Sequence, residues 1–187
     1  MNLPNDFIIF DLEFTAWEGS KERNWSRKGE YREIYDIGAV LVAGKNYEVK
    51  NTFRQLVTLE LVPSLPQYSV DLTGITQKDI DTNGILFSEM LKKFEAFVDN
   101  RDIYAWGHDG DILQENCQLK SVENPFSMKR FNNMREVFKE HGIPADDYHI
   151  STIVEYFGEK NKHTAHQGLD DALNIVEALR LLKRSLS

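Results

Sequence analysis

Cysteine is almost missing from this sequence. Cys117 stands alone among 187 residues, so it has no internal disulfide partner, and no Cys/His set has the spacing of a zinc site. Long apolar runs are absent too, since none approaches the roughly 18 residues that a membrane span needs. The N-terminal "MNLPNDFIIFDLEF" lacks the basic region and small-residue cleavage site of a secretory signal. These absences lead us to expect a cytoplasmic protein with no membrane partner. Proline is scarce at five residues, so little interrupts regular structure. Positive charge is also short: 22 Lys and Arg against 30 Asp and Glu leave a formal charge of −8. That balance argues against a protein that coats long nucleic acid through a basic surface. It leaves open an acidic cluster that holds divalent cations, because bound metal cancels charge that the sequence counts.

What is present is the composition of an ordinary globular domain, 41% hydrophobic and 28% charged, and the length suits one domain over residues 1–187. "FIIFDLEF" reads as a buried strand over 7–14. "REIYDIGAVLVAGKNYEVKNTFRQLV" contains two β-rich runs around the turn signal "AGKN", which predicts a hairpin at 34–42 and 47–57. "VPSLPQYSVDLTGITQKDIDTNG" reads as a long connection with a helical turn after Thr76. Met90, Leu91, Phe94, Phe97 and Val98 follow the spacing of an amphipathic helix, and "DIYAWG" reads as a short strand. Helices are predicted from Asp109, across "RFNNMREVFKEHGIP", over "STIVEYFG" with Ser151 as its cap, and over "GLDDALNIVEALRLLKR". Strands followed by alternating helix and strand give an α/β domain with a mixed sheet flanked by helices.

The strand over 7–14 carries Asp11 and Glu13. Residues two apart share a face of a strand, and buried carboxylates need a proton, a partner or a metal. Two further places put acids at the edges of apolar elements: "YAWGHDGDILQENC" and "HTAHQGLDDALNIV". Taken singly, each of these has an ordinary reading: Asp109 or Asp111 as a helix cap, Asp170 and Asp171 as favourable charge at a helix start, His166 as a surface residue. Strand centres have no use for caps, so the Asp11–Glu13 pair stands apart. Together, four acids and a histidine at element boundaries describe an oxygen-rich site for Mg²⁺ or Mn²⁺. Two such ions about 4 Å apart clamp the attacking and leaving oxygens of a phosphodiester displacement.

"FDLEFT", the acid after "AWGH" and "HQGLDD", in that order, resemble the three motifs of the DEDDh 3′–5′ exonucleases, a branch of the ribonuclease-H-like superfamily. "AWEG", "EIYDIGAVLV" and "DLTGITQKDID" resemble the subgroup of the histone-mRNA 3′-exonuclease and related RNA exonucleases. The resemblance implies a mixed five-stranded sheet with helices on both faces. It implies metal ligands Asp11, Glu13, Asp109 and Asp171, two Mg²⁺ or Mn²⁺ ions, and His166 as general base. The five-residue spacing of the third motif pairs His166 with Asp171 and leaves His163 as a rival only for a shifted helix. In the second motif "AWGHDGD" offers Asp109 and Asp111. Helical periodicity favours Asp109, which has Ile112 and Leu113 three and four positions on, whereas Asp111 has Gln114 and Glu115.

The partner so implied is the 3′ end of a single-stranded nucleic acid, RNA favoured and DNA allowed. Candidate contacts are Phe14 and Thr15 after the metal acids and Trp17 as a stacking platform. Leu72, Gly74 and Ile75 of "LTGIT" would wall the terminal base. Lys21, Arg23, Arg27, Lys28, Lys129 and Arg130 are candidates for the backbone. The alternatives are a proofreading-type DNA exonuclease and a non-catalytic nucleic-acid-binding domain on the same fold.

Overall fold

The computed structural model describes residues 3–186. Its sheet has five strands in the order β3-β2-β1-β4-β5. β1 (Asp6–Phe14), β2 (Ile34–Ala43) and β3 (Glu48–Leu56) form an antiparallel meander, and the hairpin falls where "AGKN" predicts it. On the other side of β1, β4 (Ile103–Ala105) and β5 (Phe131–Asn133) run parallel to their neighbours. The mixed α/β sheet with helices on both faces is thus as expected.

The alternation along β1 decides which side chain meets which layer. Ile8, Phe10 and Leu12 pack with Phe87, Met90, Leu91 and Phe94 of α3 (Phe87–Val98) and Ile112 and Leu113 of α4 (Asp109–Leu119). Phe7 and Ile9 pack on the opposite face, against Ala172, Ile175, Val176 and Leu179 of α6 (Gly168–Ser185) and Met134 and Phe138 of α5 (Met134–Lys139). Asp11 and Glu13 continue the Phe7–Ile9 series by period two, so they project from the face on which α6 begins.

Two glycines bring α6 that close. A Cβ on Gly38 of β2 would lie 1.8 Å from the Leu169 backbone nitrogen, and one on Gly168 would lie 2.9 Å from the Asp11 carbonyl oxygen. The first turn of α6 therefore rests directly on backbone of β1 and β2.

Three predicted elements differ. The connection before "GITQ" contains a helix, α1 (Gln67–Thr73), ended by Gly74 in the left-handed region, and Thr76 then opens α2 (Gln77–Asn83) with a reciprocal cap to Asp79. The helix predicted from Arg130 is shorter: Phe131–Asn133 pair with β4, and Asn133 caps α5 by accepting from the Arg135 N–H. "IVEYF" forms a 3₁₀ turn preceded by Thr152, one residue beyond the expected Ser151, and ends at Gly158 as read.

A buried network ties these pieces together behind the acidic pair. The fully buried Glu33 accepts hydrogen bonds from the N–H groups of Glu60, Leu61 and Val62, and from Lys120 Nζ at 2.5 Å. Its backbone bonds Thr15 twice, N–H to carbonyl in one direction and N–H to hydroxyl in the other. The strand end that carries Glu13 is thereby fixed to the C-terminus of α4.

Candidate active site

Where α6 starts, its first turn folds the preceding chain back onto itself. Asp171 accepts a hydrogen bond from the His166 N–H at 2.9 Å, and Asp170 accepts one from Thr164 N–H at 3.0 Å. His166 takes φ = 60°, a conformation uncommon outside glycine, which turns the chain at the site itself. A carboxylate oxygen of Glu13, an imidazole nitrogen of His166 and a carboxylate oxygen of Asp171 lie within 4.8 Å of one another. Asp11, Glu13, Asp109 and Asp171 line one cleft of about 310 Å³ with His166. The five residues expected at the site are brought together.

Asp109 and Asp111 separate cleanly. Asp109 is the first residue of α4 and lines that cleft, while Asp111 is exposed on the outer side, 3.3 Å from His108 Nδ1. His163 is not among the residues that line the cleft.

So many acids in one place repel. Burial pushes the Asp11 carboxyl well above the usual range, and the charges of Asp109, Glu13, Asp171 and Asp36 push it further. Glu13 rises for the same reasons, burial first, with Arg54 opposing. Asp109 is raised to about 6 and Asp171 to about 7, chiefly by burial. His166 is lowered from 6.5, first by burial and then by the nearby His149, which keeps its imidazole neutral at pH 7.

The donor set fits a divalent cation. Asp171 is only 2% exposed, yet its Oδ1 has no hydrogen-bond partner. A buried oxygen without a donor is costly unless a cation meets it, and clustered carboxylates select hard cations. The fifth acid, Asp36, is fully buried but already satisfied, by Arg54 at 3.3 Å and by the Gly168 N–H at 3.4 Å. It anchors α6 to the sheet, a role set by cross-strand register that the sequence order does not display.

Beside the acids, a second cleft of about 450 Å³ is lined by Glu13, Phe14, Trp17, Lys21, Trp25, Tyr68 and Leu72, among others. Lys21 and Phe14 line both clefts, so the two adjoin. Phe14 and Trp25 pack with ring centroids 5.7 Å apart and planes tilted by 58°, and Trp25 is held by its indole N–H on the Thr15 carbonyl.

Other expected contacts fall elsewhere. Thr15 has no exposed surface: its hydroxyl bonds the Tyr31 carbonyl and the Glu33 N–H, its own N–H the Glu33 carbonyl, so it shapes the wall and faces no cleft. Ile75 packs with Tyr35, Leu65 and Ile80, and with Gly74 it borders a separate cleft lined by Arg54 and Gln167. Leu72 is 39% exposed and does line the aromatic cleft. Arg23 is bound to Glu30 and the Glu18 carbonyl, and Arg130 to the carbonyls of Asp99 and Arg101. Arg135 and His149 also line the acidic cleft and carry no signal in the sequence; the start of α5 after β5 and the loop beyond that helix bring them there. Among the described residues no helix is long and apolar enough to cross a membrane.

Known proteins resemble this chain in sequence and in fold. The rat protein named 3′-5′ exoribonuclease 1 is 29% identical over 192 residues, covering 95% of this chain and 53% of its own. "Probable 3′-5′ exonuclease KapD" of Bacillus subtilis (strain 168) is 27% identical over 186 residues, covering 96% of this chain and 85% of its own. The chain thus spans about half the length of the mammalian relatives. Among solved structures, the nuclease domain of 3′hExo, described as a DEDDh family member bound to rAMP, superposes with a TM-score of 0.82 at 24% identity. It covers 97% of this chain and 92% of that domain. The model of the RNase T exonucleases matches residues 8–179, from the second residue of β1's buried run into α6, and so takes in every acid of the cleft: the chain belongs to the RNase T exonuclease family.

Proposed function

We propose that this chain is a single-domain, cytoplasmic 3′–5′ exonuclease that releases nucleoside 5′-monophosphates from the 3′ end of single-stranded RNA. The observation that carries the reading is the convergence of four acids and one neutral histidine on a cleft that adjoins an aromatic one. RNA is favoured because the mammalian relatives are named exoribonucleases and the superposed nuclease domain is described with rAMP.

Asp11, Glu13, Asp109 and Asp171 would hold two Mg²⁺ or Mn²⁺ ions. Bound there, the cations would lower the pKa of water and neutralise charge developing on the phosphate. The remaining work falls to the protein. Trp17, Phe14 and Leu72 offer apolar surface on which the terminal base stacks without regard to its identity. His166, neutral at pH 7, accepts a proton from the water whose oxygen attacks the last phosphodiester phosphorus. The bond from that phosphorus to the 3′ oxygen of the shortened strand then breaks. The Asp171 carboxylate fixes the backbone of His166 and with it the position of the base.

The test is cleavage of matched RNA and DNA strands by wild type and Asp11→Ala, with Mg²⁺, with Mn²⁺ and with chelator. Metal-dependent mononucleotide release that the variant lacks supports the reading. Stronger cleavage of DNA assigns a DNA exonuclease instead, and binding without cleavage under every metal assigns a non-catalytic module.

A further inference from the structure

One arginine in the acid-lined cleft makes no ion pair with the described residues, although its charge steadies Asp109. Arg135, the second residue of α5, lines the cleft with Asp109 and His166, and its guanidinium carbon sits 5.6 Å from the centre of the Trp106 ring. Trp106 is itself fixed, 4% exposed, with its indole N–H on the Tyr148 carbonyl and its ring edge-on to Phe138. The Arg135 Nε is buried without a hydrogen-bond partner, and no ion pair to Arg135 occurs among the described residues. Other arginines on the same molecule are tied down: Arg23 to Glu30, Arg54 to Asp36, Arg130 to two carbonyls. A guanidinium is a rigid fork of donors that matches two oxygens of one phosphate, and the cation–π contact with a fixed indole restricts where it sits before any ligand arrives.

We propose that Arg135 is a substrate-positioning residue that grips one phosphate of the incoming strand through the terminal nitrogens of its guanidinium, which, unlike the buried Nε, remain accessible. The inference rests on the nuclease reading above, and it assigns to the strand a contact on the α5 wall. Lys21 reaches the same cleft from the β1–β2 loop and is exposed, a mobile point charge rather than an oriented fork.

The experiment measures binding of a 3′-fluorescent single-stranded RNA in chelator, as a function of salt, for wild type, Arg135→Gln, Arg135→Lys and Lys50→Gln. Lys50 pairs with Asp6 away from the cleft and serves as the control. Loss of a charge-assisted contact should weaken binding by roughly ten- to a hundred-fold in Arg135→Gln, and the slope of log affinity against log salt should fall by about 0.7. Arg135→Lys, which keeps the charge, should retain the slope while losing part of the affinity. A walk of single neutral methylphosphonate linkages along the RNA identifies the phosphate: one linkage should weaken wild type and leave Arg135→Gln unaffected. An unchanged slope in Arg135→Gln, an equal loss in Lys50→Gln, or equal sensitivity of wild type and Arg135→Gln to every linkage overturns the proposal. Those results would leave cleavage intact. Absence of cleavage by wild type would instead remove the nuclease reading, so the two failures are distinct.

Discussion

Replacing Asp171 with Asn should make the metal-free protein more stable at alkaline pH. Asp171 is 2% exposed, and burial raises its carboxyl from 3.8 to about 7. The rise is about three units, and at about 1.4 kcal/mol per unit the ionised form costs the folded state about 4 kcal/mol. The folded carboxyl holds its proton to higher pH than the unfolded one. Its contribution is therefore intact below about pH 4 and is lost as pH climbs through about 7. Asn carries no charge at either pH and keeps an oxygen for the His166 N–H. Removing the charge also relieves Glu13 and Asp11, which titrate together with it. In a domain of this size each kcal/mol moves the melting temperature by about 2–4 °C, so Asp171→Asn should melt on the order of 10 °C above wild type at pH 8 in chelator. At pH 5 the gap should shrink to less than about half, because the wild-type carboxyl is then mostly protonated in the folded state. Added Mg²⁺ at pH 8 should raise the melting temperature of wild type far more than that of the variant. Scanning calorimetry at the two pH values, with and without metal, reads all of this. A variant that melts at or below wild type at pH 8 without metal, or a gap indifferent to pH, refutes the reasoning.

Asp109→Asn should lower metal-dependent cleavage by at least about a hundred-fold, because it lines the cleft, while the exposed Asp111→Asn stays near wild type in the same turnover assay. His166→Ala should lose about 10²- to 10⁴-fold in kcat yet keep the metal-induced rise in melting temperature; a vanished rise would make His166 a ligand and not a base. In wild type, kcat should climb with pH through a value below 6.5 as the imidazole gives up its proton, which a pH–rate profile tests. Glu33→Ala should cost about 3–5 kcal/mol by thermal melting, since it strands three backbone N–H groups and takes from the 3%-exposed Lys120 side chain one of its two acids, leaving Glu60.

Much of this was legible in the sequence because it is local. The alternation of "FIIFDLEF" places Asp11 and Glu13 on one face whatever the rest of the chain does, and the apolar offsets after Asp109 single it out from Asp111 by helical period alone. The residues that escaped notice depend on contacts distant in the chain. α1 reads as a loop because its Ser, Asp and Thr favour turns, and it is helical because Ser69 and Thr73 are buried against neighbours: the Ser69 hydroxyl meets the Ala16 backbone, and Thr73 lies beside Tyr35. β5 is three residues inside a helix-like stretch, and only pairing with β4 draws it out. Asp36, Gly38 and Gly168 matter through an approach between β2 and α6 more than 120 residues apart in sequence. Thr15 carries the type of side chain that contacts a sugar, but its backbone neighbours reach it first.

The central claim is that the acid-lined cleft hydrolyses RNA one nucleotide at a time from the 3′ end. It is tested most directly by giving the wild-type protein and Mg²⁺ the same single-stranded RNA labelled either at the 5′ end or in its last phosphodiester. The account predicts immediate release of labelled nucleoside 5′-monophosphate from the second substrate and a ladder shortening by single steps from the first. Internal fragments, mononucleotide released first from the 5′ end, or intact RNA in both cases would contradict it.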